Sequence, residues 1–190
     1  MVALNKRLPE DAVISVDAGN FSGWAQRFLR YGKDRRLLGS TAGAMGYGVP
    51  GAVMAAITQP NRMAIGMAGD GGYGMTGQEI ATAVAHKAAP IILLFNNNMY
   101  GTIRAHQEGR HPDRISGTDL VNPDFAAIAK AHGGFGAKVE RTEDFIPVFD
   151  QAVASGKVAV IEITVDKEAI STRATLSAIR EMGRKKQSAA

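Results

Sequence analysis

Five short apolar runs, each bounded by turn-forming residues, punctuate the chain: Ala12–Val16, Met63–Ala68, Ile91–Asn96, Ala137–Glu140 and Val158–Val165. Runs of this length with little polar alternation predict strands covered on both faces. Between them lie stretches of helical character. Met75–Lys87 follows a glycine segment and puts Ile80, Ala83 and Val84 on one face. Asp124–His132 follows Asn122-Pro123, read as a capping residue and a first-turn proline, and Thr142–Ser155 opens on Thr-Glu-Asp, an acid-rich helix start. Strands alternating with helices predict the α/β class: a single domain with a mostly parallel sheet and helices on both faces. Glu108–Val121 is polar, has no period and contains His111-Pro112-Asp113, so it is expected to be a mobile loop beside the central strands.

Composition agrees with one folded domain. Of 190 residues, 45% are hydrophobic and 21% charged, close to ordinary globular usage and far from a disordered chain. The net charge of +4 is concentrated at the end, where residues 180–190 hold Arg180, Arg184, Lys185 and Lys186 against Glu181, leaving +1 for residues 1–179. The expected division is therefore a folded unit over residues 1–180 and a basic tail over 181–190. Charge confined to a tail gives no basic face for nucleic acid. No cysteine is present, which excludes a disulfide framework, a thiolate metal site and a cysteine nucleophile, and makes the cytoplasm the expected compartment. Leu37–Asn61 is uncharged and long, but its glycines and Pro50 exclude a membrane helix, and the first residues show no secretory apolar core.

The chemistry is concentrated where the glycines are. Gly69-Asp70-Gly71-Gly72-Tyr73-Gly74 satisfies G-x-G-x-x-G after a predicted strand and before a predicted helix, the context of a dinucleotide site. A second copy, Gly46 to Gly51, has no predicted strand before it and contains Pro50, so it is set aside. Two features turn the first copy away from NAD. The following strand ends in Asn96-Asn97-Asn98 rather than in an acid that could hold a ribose. Asp70 also lies inside the segment whose amides would cradle a phosphate, and like charges at about 4 Å repel by roughly 4 kcal/mol at an effective dielectric near 20. With no Lys or Arg between Arg62 and Lys87, a divalent cation between Asp70 and a diphosphate is the economical solution, and oxygen ligands suit Mg²⁺. Neighbouring parallel strands would bring Asp70 and the asparagines 27 residues later to one ion, whereas an isolated Asn triplet would be a simple turn.

Gly69-Asp70-Gly71, Gln78 through Val84, Pro90 and Asn96-Asn97 together resemble the signature of thiamine diphosphate enzymes, in particular the C-terminal cofactor domain of the acetolactate synthase-like group. The likeness runs from about Val13 through Arg180. It implies that Asp70, the Asn97 side chain and the Met99 carbonyl hold Mg²⁺, that Gly69 and the amides of Gly71 and Gly72 meet the diphosphate, and that Tyr100 is a further cofactor contact. Gly43 through Pro50 resembles the segment that receives the aminopyrimidine, with the Gly43 carbonyl as acceptor and Met45 as the prop that bends the cofactor so its own amino group can take the C2 proton. Met45 alone would read as core filler. Asp17-Ala18-Gly19-Asn20 resembles another turn at the diphosphate, with Gly19 and Asn20 as contacts and Asp17 as a turn residue.

Family enzymes also need a glutamate from a separate pyrimidine-side domain on a facing subunit, and no segment here resembles it. The resemblance thus implies a homo- or hetero-oligomer, a 2-keto acid substrate, decarboxylase or carboligase chemistry of the lyase or transferase type, and a chain that alone holds cofactor poorly and turns over nothing. Pyruvate decarboxylase relatives carry a glutamate where this chain has Ile103, and acetolactate synthases a tryptophan where it has His106. Arg104 and His106 are the candidate substrate groups, one for a carboxylate and one for proton transfer; otherwise Arg104 faces solvent or pairs with Glu108. His86 and His132 read as surface or capping residues, and His111 flanks the loop. The rival readings are a nucleotide-binding oxidoreductase and a noncatalytic binding or assembly domain.

Overall fold

The computed structural model describes residues 1–189. Its elements in chain order are α1 (Val2–Asn5), β1 (Val13–Val16), α2 (Ser22–Phe28), β2 (Arg36–Gly39), α3 (Gly48–Thr58), β3 (Ala64–Gly69), α4 (Asp70–Thr76), α5 (Ile80–Ala85), β4 (Ile91–Asn96), α6 (Gly101–Arg110), α7 (Phe125–Ala131), β5 (Phe135–Val139), α8 (Phe145–Ser155), β6 (Ala159–Thr164) and α9 (Leu176–Ser188). The strands form one sheet in the order β2-β1-β3-β4-β6-β5, and every ladder is parallel. All carboxyl ends therefore lie along one edge.

Side chains along a strand alternate between faces, so one sheet feeds two cores. Ile65, Met67, Ile91, Leu93 and Ile161 pack against Leu4, Ala25 and Phe149 of α1, α2 and α8. Ile92, Leu94 and Val160 pack on the opposite face against Val49 and Val53 of α3, Ile80 and Ala83 of α5, and Phe125 and Ala129 of α7. The expected sheet with helices on both faces is found, and the five expected strands lie within a residue or two of their runs.

Several local expectations are corrected. Met75–Lys87 is not one helix: α4 ends at Thr76, whose φ of −139° leaves the helical region, and a 3₁₀ turn at Gly77–Glu79 resets the register before α5. Ile80 and Ala83 still face the core, but Val84 is turned outward and is 40% exposed. The cap of α7 is Asp124, whose Oδ1 accepts from the Ala127 amide at 2.7 Å; Asn122 is used elsewhere. Thr142–Asp144 forms a 3₁₀ turn ahead of α8, which closes on Gly156 at φ +61°. The second glycine run does follow a strand: β2 is a short edge strand, largely exposed and so without the apolar signature of the others, and the run opens α3 with Pro50 in its first turn.

The loop expected over Glu108–Val121 is shorter and better anchored than its composition suggests. Helix α6 runs to Arg110, an antiparallel bridge joins Met99 to Asp119, and amide bonds run from Tyr100 to Thr118 O at 2.9 Å and from Leu120 to Asn98 O at 3.0 Å. The basic end is not a tail either. Helix α9 crosses the expected boundary at residue 180, buries Gly183 against α6, and joins Arg184 to Asp113 by two hydrogen bonds of 2.9 Å. Among the described residues no helix is long and apolar enough to cross a membrane.

Glu108 anchors this docking. It is fully buried and accepts from Arg180 Nη2 at 2.6 Å. That bond is the first cause holding its carboxyl below the ordinary 4.5, ahead of the opposing effect of burial. A depressed acid stabilises the fold above its unfolded pKa and loses that contribution as pH falls through the folded value. Arg180→Met should therefore lower the thermal midpoint most near neutral pH and flatten its acid-side fall, the gap to the wild type narrowing as the pH drops, and superimposable pH–midpoint curves would contradict the assignment.

Candidate functional site

Chain order reverses between β1 and β3, because β1 is followed in space by β2 on one side and β3 on the other. Open parallel sheets hold ligands at the carboxyl edge beside such a reversal. A cleft of about 510 Å³ opens there. Its wall is built from four strand ends: Gly19 and Asn20 after β1, Gly43 and Met45 after β2, Gly69, Asp70 and Gly72 at β3, and Asn97, Met99 and Tyr100 after β4. Gly71 does not line it, because the Tyr100 ring stands over it; a Cβ there would lie 2.5 Å from Tyr100 Cε1. Its amide donates to Asp70 Oδ1 at 3.0 Å, so the Gly71 N–H is engaged within the chain rather than offered to a ligand.

Asp70 begins α4 directly at the end of β3 and is 4% exposed. Its Oδ2 accepts from Asn122 Nδ2 at 2.8 Å. Burial pushes its carboxyl above the usual carboxylate range despite these bonds. Among the described residues no lysine or arginine side chain lines the cleft, so nothing cationic on a side chain compensates Asp70. The three asparagines after β4 divide their tasks. Asn96 is buried and donates to Glu162 Oε1 at 2.8 Å, Asn97 lines the cleft, and Asn98 takes the left-handed turn at φ +54° that asparagine tolerates.

Asp17 is the principal correction within the site. It is not a plain turn residue but is 2% exposed, its Oδ1 accepting from the amides of Ala18 at 2.7 Å, Gly46 at 2.7 Å and Tyr47 at 3.2 Å. One carboxylate thus pins the turn that carries Gly43 and Met45 to the end of β1. Gly46 is needed there at φ +90°. Asp17 Oδ2 has no partner and packs against Gly72, where a Cβ would come within 2.2 Å. Burial raises this carboxyl too, outweighing the amides.

Arg104 and His106 do not reach the cleft. Gly101, Thr102 and Ile103 of α6 line it, and the next residue is already turned away. Arg104 is 7% exposed and held by the 116–121 segment: Nε donates to Thr118 Oγ1 at 2.6 Å and Nη2 lies 2.8 Å from Asp119 Oδ1. Neither solvent nor Glu108 is its partner, and its guanidinium is buried against that segment, away from the cleft. His106 is exposed. Arg104→Met should cost about 1–2 kcal/mol in urea unfolding and speed hydrogen exchange at the amides of Tyr100 and Leu120, both tied to that segment. Unchanged exchange there would show that Arg104 does not hold it.

Residues that the sequence did not flag complete the wall. Phe21 stacks on Phe95 with ring centroids 5.5 Å apart, and Thr102 Oγ1 accepts from the Asn20 amide at 3.0 Å, joining the β1 and β4 ends. Trp24, Ile163, Val165 and Ile170 make the far side apolar.

A parallel α/β sheet whose carboxyl edge is lined by glycines, with the buried Asp70 facing the cleft and no cationic side chain beside it, suits a diphosphate cofactor. Residues 17–163 match the family described as thiamine pyrophosphate enzyme, C-terminal TPP binding domain, and the chain belongs to that family. It is 34% identical over 170 residues to sulfoacetaldehyde acetyltransferase of Castellaniella defragrans, covering 87% of this chain and 28% of that one. It is 36% identical over 157 residues to acetolactate synthase of Mycobacterium bovis, covering 80% and 25%. The thiamine diphosphate-dependent 4-hydroxybenzoylformate decarboxylase of Rhodococcus jostii RHA1 superposes with a TM-score of 0.80 at 26% identity, over 86% of this chain and 31% of that one. The chain thus spans under a third of the length of these relatives. Its cofactor is thiamine diphosphate, and the dinucleotide reading is dropped.

The site fits the divalent cation that such a diphosphate brings. No group of three or more His, Cys, Asp or Glu side chains able to hold a metal is present among the described residues. Mg²⁺ does not need one: it commonly takes one or two carboxylates and completes its shell with phosphate oxygens and water. Asp70 supplies a buried carboxylate with no cationic side chain in the cleft, and Asn97, a residue type with a neutral oxygen, lines the same cleft.

Proposed function

We propose that this chain is the diphosphate- and Mg²⁺-binding part of a thiamine diphosphate-dependent lyase or transferase acting on 2-keto acids. The observation that carries the reading is Asp70, buried without a cationic partner at the mouth of a cleft built from four strand ends. In this reading Asp70, Asn97 and the Met99 carbonyl hold the cation. Gly69 and Gly72 accept the close approach of the diphosphate, while Gly19, Asn20 and Tyr100 close its sides. The Gly43 carbonyl and Met45 meet the pyrimidine, and Asp17 keeps their turn in place. The cofactor supplies a carbon nucleophile for attack on the keto group. The apolar far wall, with Phe21, Phe95 and Ile163, excludes water from that region.

The proposal includes a pyrimidine-side domain or subunit that brings the missing glutamate, within a homo- or hetero-oligomer, and little turnover without it. Decarboxylation and carboligation are both compatible with the site. A cytoplasmic location is part of the proposal and rests on composition alone. Calorimetric titration with thiamine diphosphate plus MgCl₂, against NADH, tests the cofactor assignment: heat of binding is expected only with the former. Carbon dioxide release from pyruvate on adding a pyrimidine-side domain tests the activity. Cofactor binding without turnover on any 2-keto acid would favour the noncatalytic assembly reading.

A further inference from the structure

The fold places an asparagine from outside the glycine and asparagine motifs against Asp70. Asn122 lies 52 residues beyond Asp70 in sequence, at the end of the anchored 116–121 segment. Its Nδ2 is 2.8 Å from Asp70 Oδ2, 2.9 Å from Asn96 Oδ1 and 3.2 Å from Asn98 Oδ1. An amide nitrogen has two hydrogens, so the two shorter contacts can be satisfied together.

The polarity of this arrangement is fixed from the backbone. The Asn98 amide can only donate, and it donates to Asn96 Oδ1 at 3.0 Å. The other end of Asn96 must then be its Nδ2, which meets Glu162 Oε1 at 2.8 Å. A group facing Asn96 Oδ1 must be a donor, so Asn122 presents Nδ2 and not its oxygen. The same nitrogen then reaches Asp70. With Gly71 N–H on Oδ1, both carboxylate oxygens of Asp70 are held, one from its own helix and one from a separate segment.

We infer that Asn122 is a positioning residue that locks the Asp70 carboxylate in one orientation and so makes the site discriminate in favour of Mg²⁺ over Ca²⁺. The inference rests on the reading that Asp70 and Asn97 hold the cation. Mg²⁺ demands near-ideal octahedral geometry at about 2.0–2.1 Å, whereas Ca²⁺ accepts 6–8 oxygens at about 2.3–2.6 Å in flexible arrangements. A carboxylate freed on one side loses more for the ion that tolerates less, and groups that orient a ligand commonly change metal affinity by about 10- to 100-fold.

The test uses ¹⁵N-labelled chain titrated with MgCl₂ or CaCl₂ at fixed thiamine diphosphate, read by amide shifts, which follow millimolar binding as well as tight binding. In Asn122→Ala the half-saturating Mg²⁺ concentration is expected to rise about 10-fold or more, with a several-fold smaller rise for Ca²⁺. Asn122→Leu keeps the branched shape but cannot donate, and should lower the Mg²⁺-to-Ca²⁺ preference in the same direction; amide dispersion in the same spectra shows whether each variant is folded. Equal losses for both ions would make Asn122 merely structural and overturn the inference, as would no loss. A wild-type chain with no metal-dependent response would overturn the cation reading itself, and this inference with it.

Discussion

Asp70→Ala is expected to abolish Mg²⁺-dependent binding of thiamine diphosphate, with a loss of at least about 100-fold in affinity, while leaving the fold intact. The reason is electrostatic. Asp70 is the buried carboxylate that faces the cleft, and without it the diphosphate meets neutral amides and an asparagine with no charge left to share the cation. Two negative groups at about 4 Å cost roughly 4 kcal/mol at an effective dielectric near 20, and the bridging ion reverses that sign. Stability should change by no more than about 1 kcal/mol, because Asn122 keeps Asn96 Oδ1 as an acceptor and a desolvated charge is removed with the side chain. Retention of Mg²⁺-dependent binding at wild-type strength in a folded Asp70→Ala protein would refute the cation assignment. Loss of the fold would instead show that the Asp70–Asn122 contact is a stability element.

Sequence and structure agree where burial is on both sides. β3, β4 and β6 are near-continuous apolar runs because helices cover both faces, and such runs cannot be mistaken for half-exposed strands. β2 escaped detection for the converse reason: Arg36–Gly39 lies at the sheet edge with little burial, so nothing in its composition marks a strand. The helix reading failed at Thr76, where a non-helical φ and a 3₁₀ turn end one helix before the next begins; within α5 Ile80 and Ala83 face the core, and Val84 lies outside that buried stripe.

The site divides in the same way. Asp70 and Asn97 were legible because their types are wrong for a dinucleotide loop and right for a cation, and because strands joined by a helix bring their ends together. Asn122 was not, since its partnership with Asp70 depends on how a polar segment of 14 residues folds back, for which periodicity carries no signal. Arg104 shows the opposite failure. Its position seven residues after Asn97 suggested the cleft, but a helix turns each residue by about 100°, and Ile103 and Arg104 therefore face different surroundings. Asp17 could have been suspected: an acid continuing a fully buried strand must find donors, and those donors had to come from a neighbouring turn.

That dependence gives Asp17 a larger expected stability effect than Asp70. Asp17→Ala removes the acceptor of three backbone amides, of which the Gly46 N–H is fully buried and those of Ala18 and Tyr47 partly so. A buried donor left without a partner costs about 1–3 kcal/mol. Removing a carboxylate whose Oδ2 is itself unpartnered offsets part of this, and the expected net loss is about 2–3 kcal/mol in urea unfolding. Asp17→Asn retains an oxygen for the amides and removes the charge, so it should lose less, although its nitrogen would sit against Gly72 with nothing to donate to. Because the released turn carries Gly43 and Met45, Asp17→Ala should also weaken thiamine diphosphate binding, with the Mg²⁺ dependence of the remaining binding unchanged. The combination separates Asp17 from Asp70: one loses stability and keeps the ion, the other keeps stability and loses it. An Asp17→Ala chain within about 0.5 kcal/mol of the wild type would mean that water replaces the carboxylate at these amides and that the turn is held by other contacts, such as the Thr76 hydroxyl donating to Gly46 O at 2.8 Å.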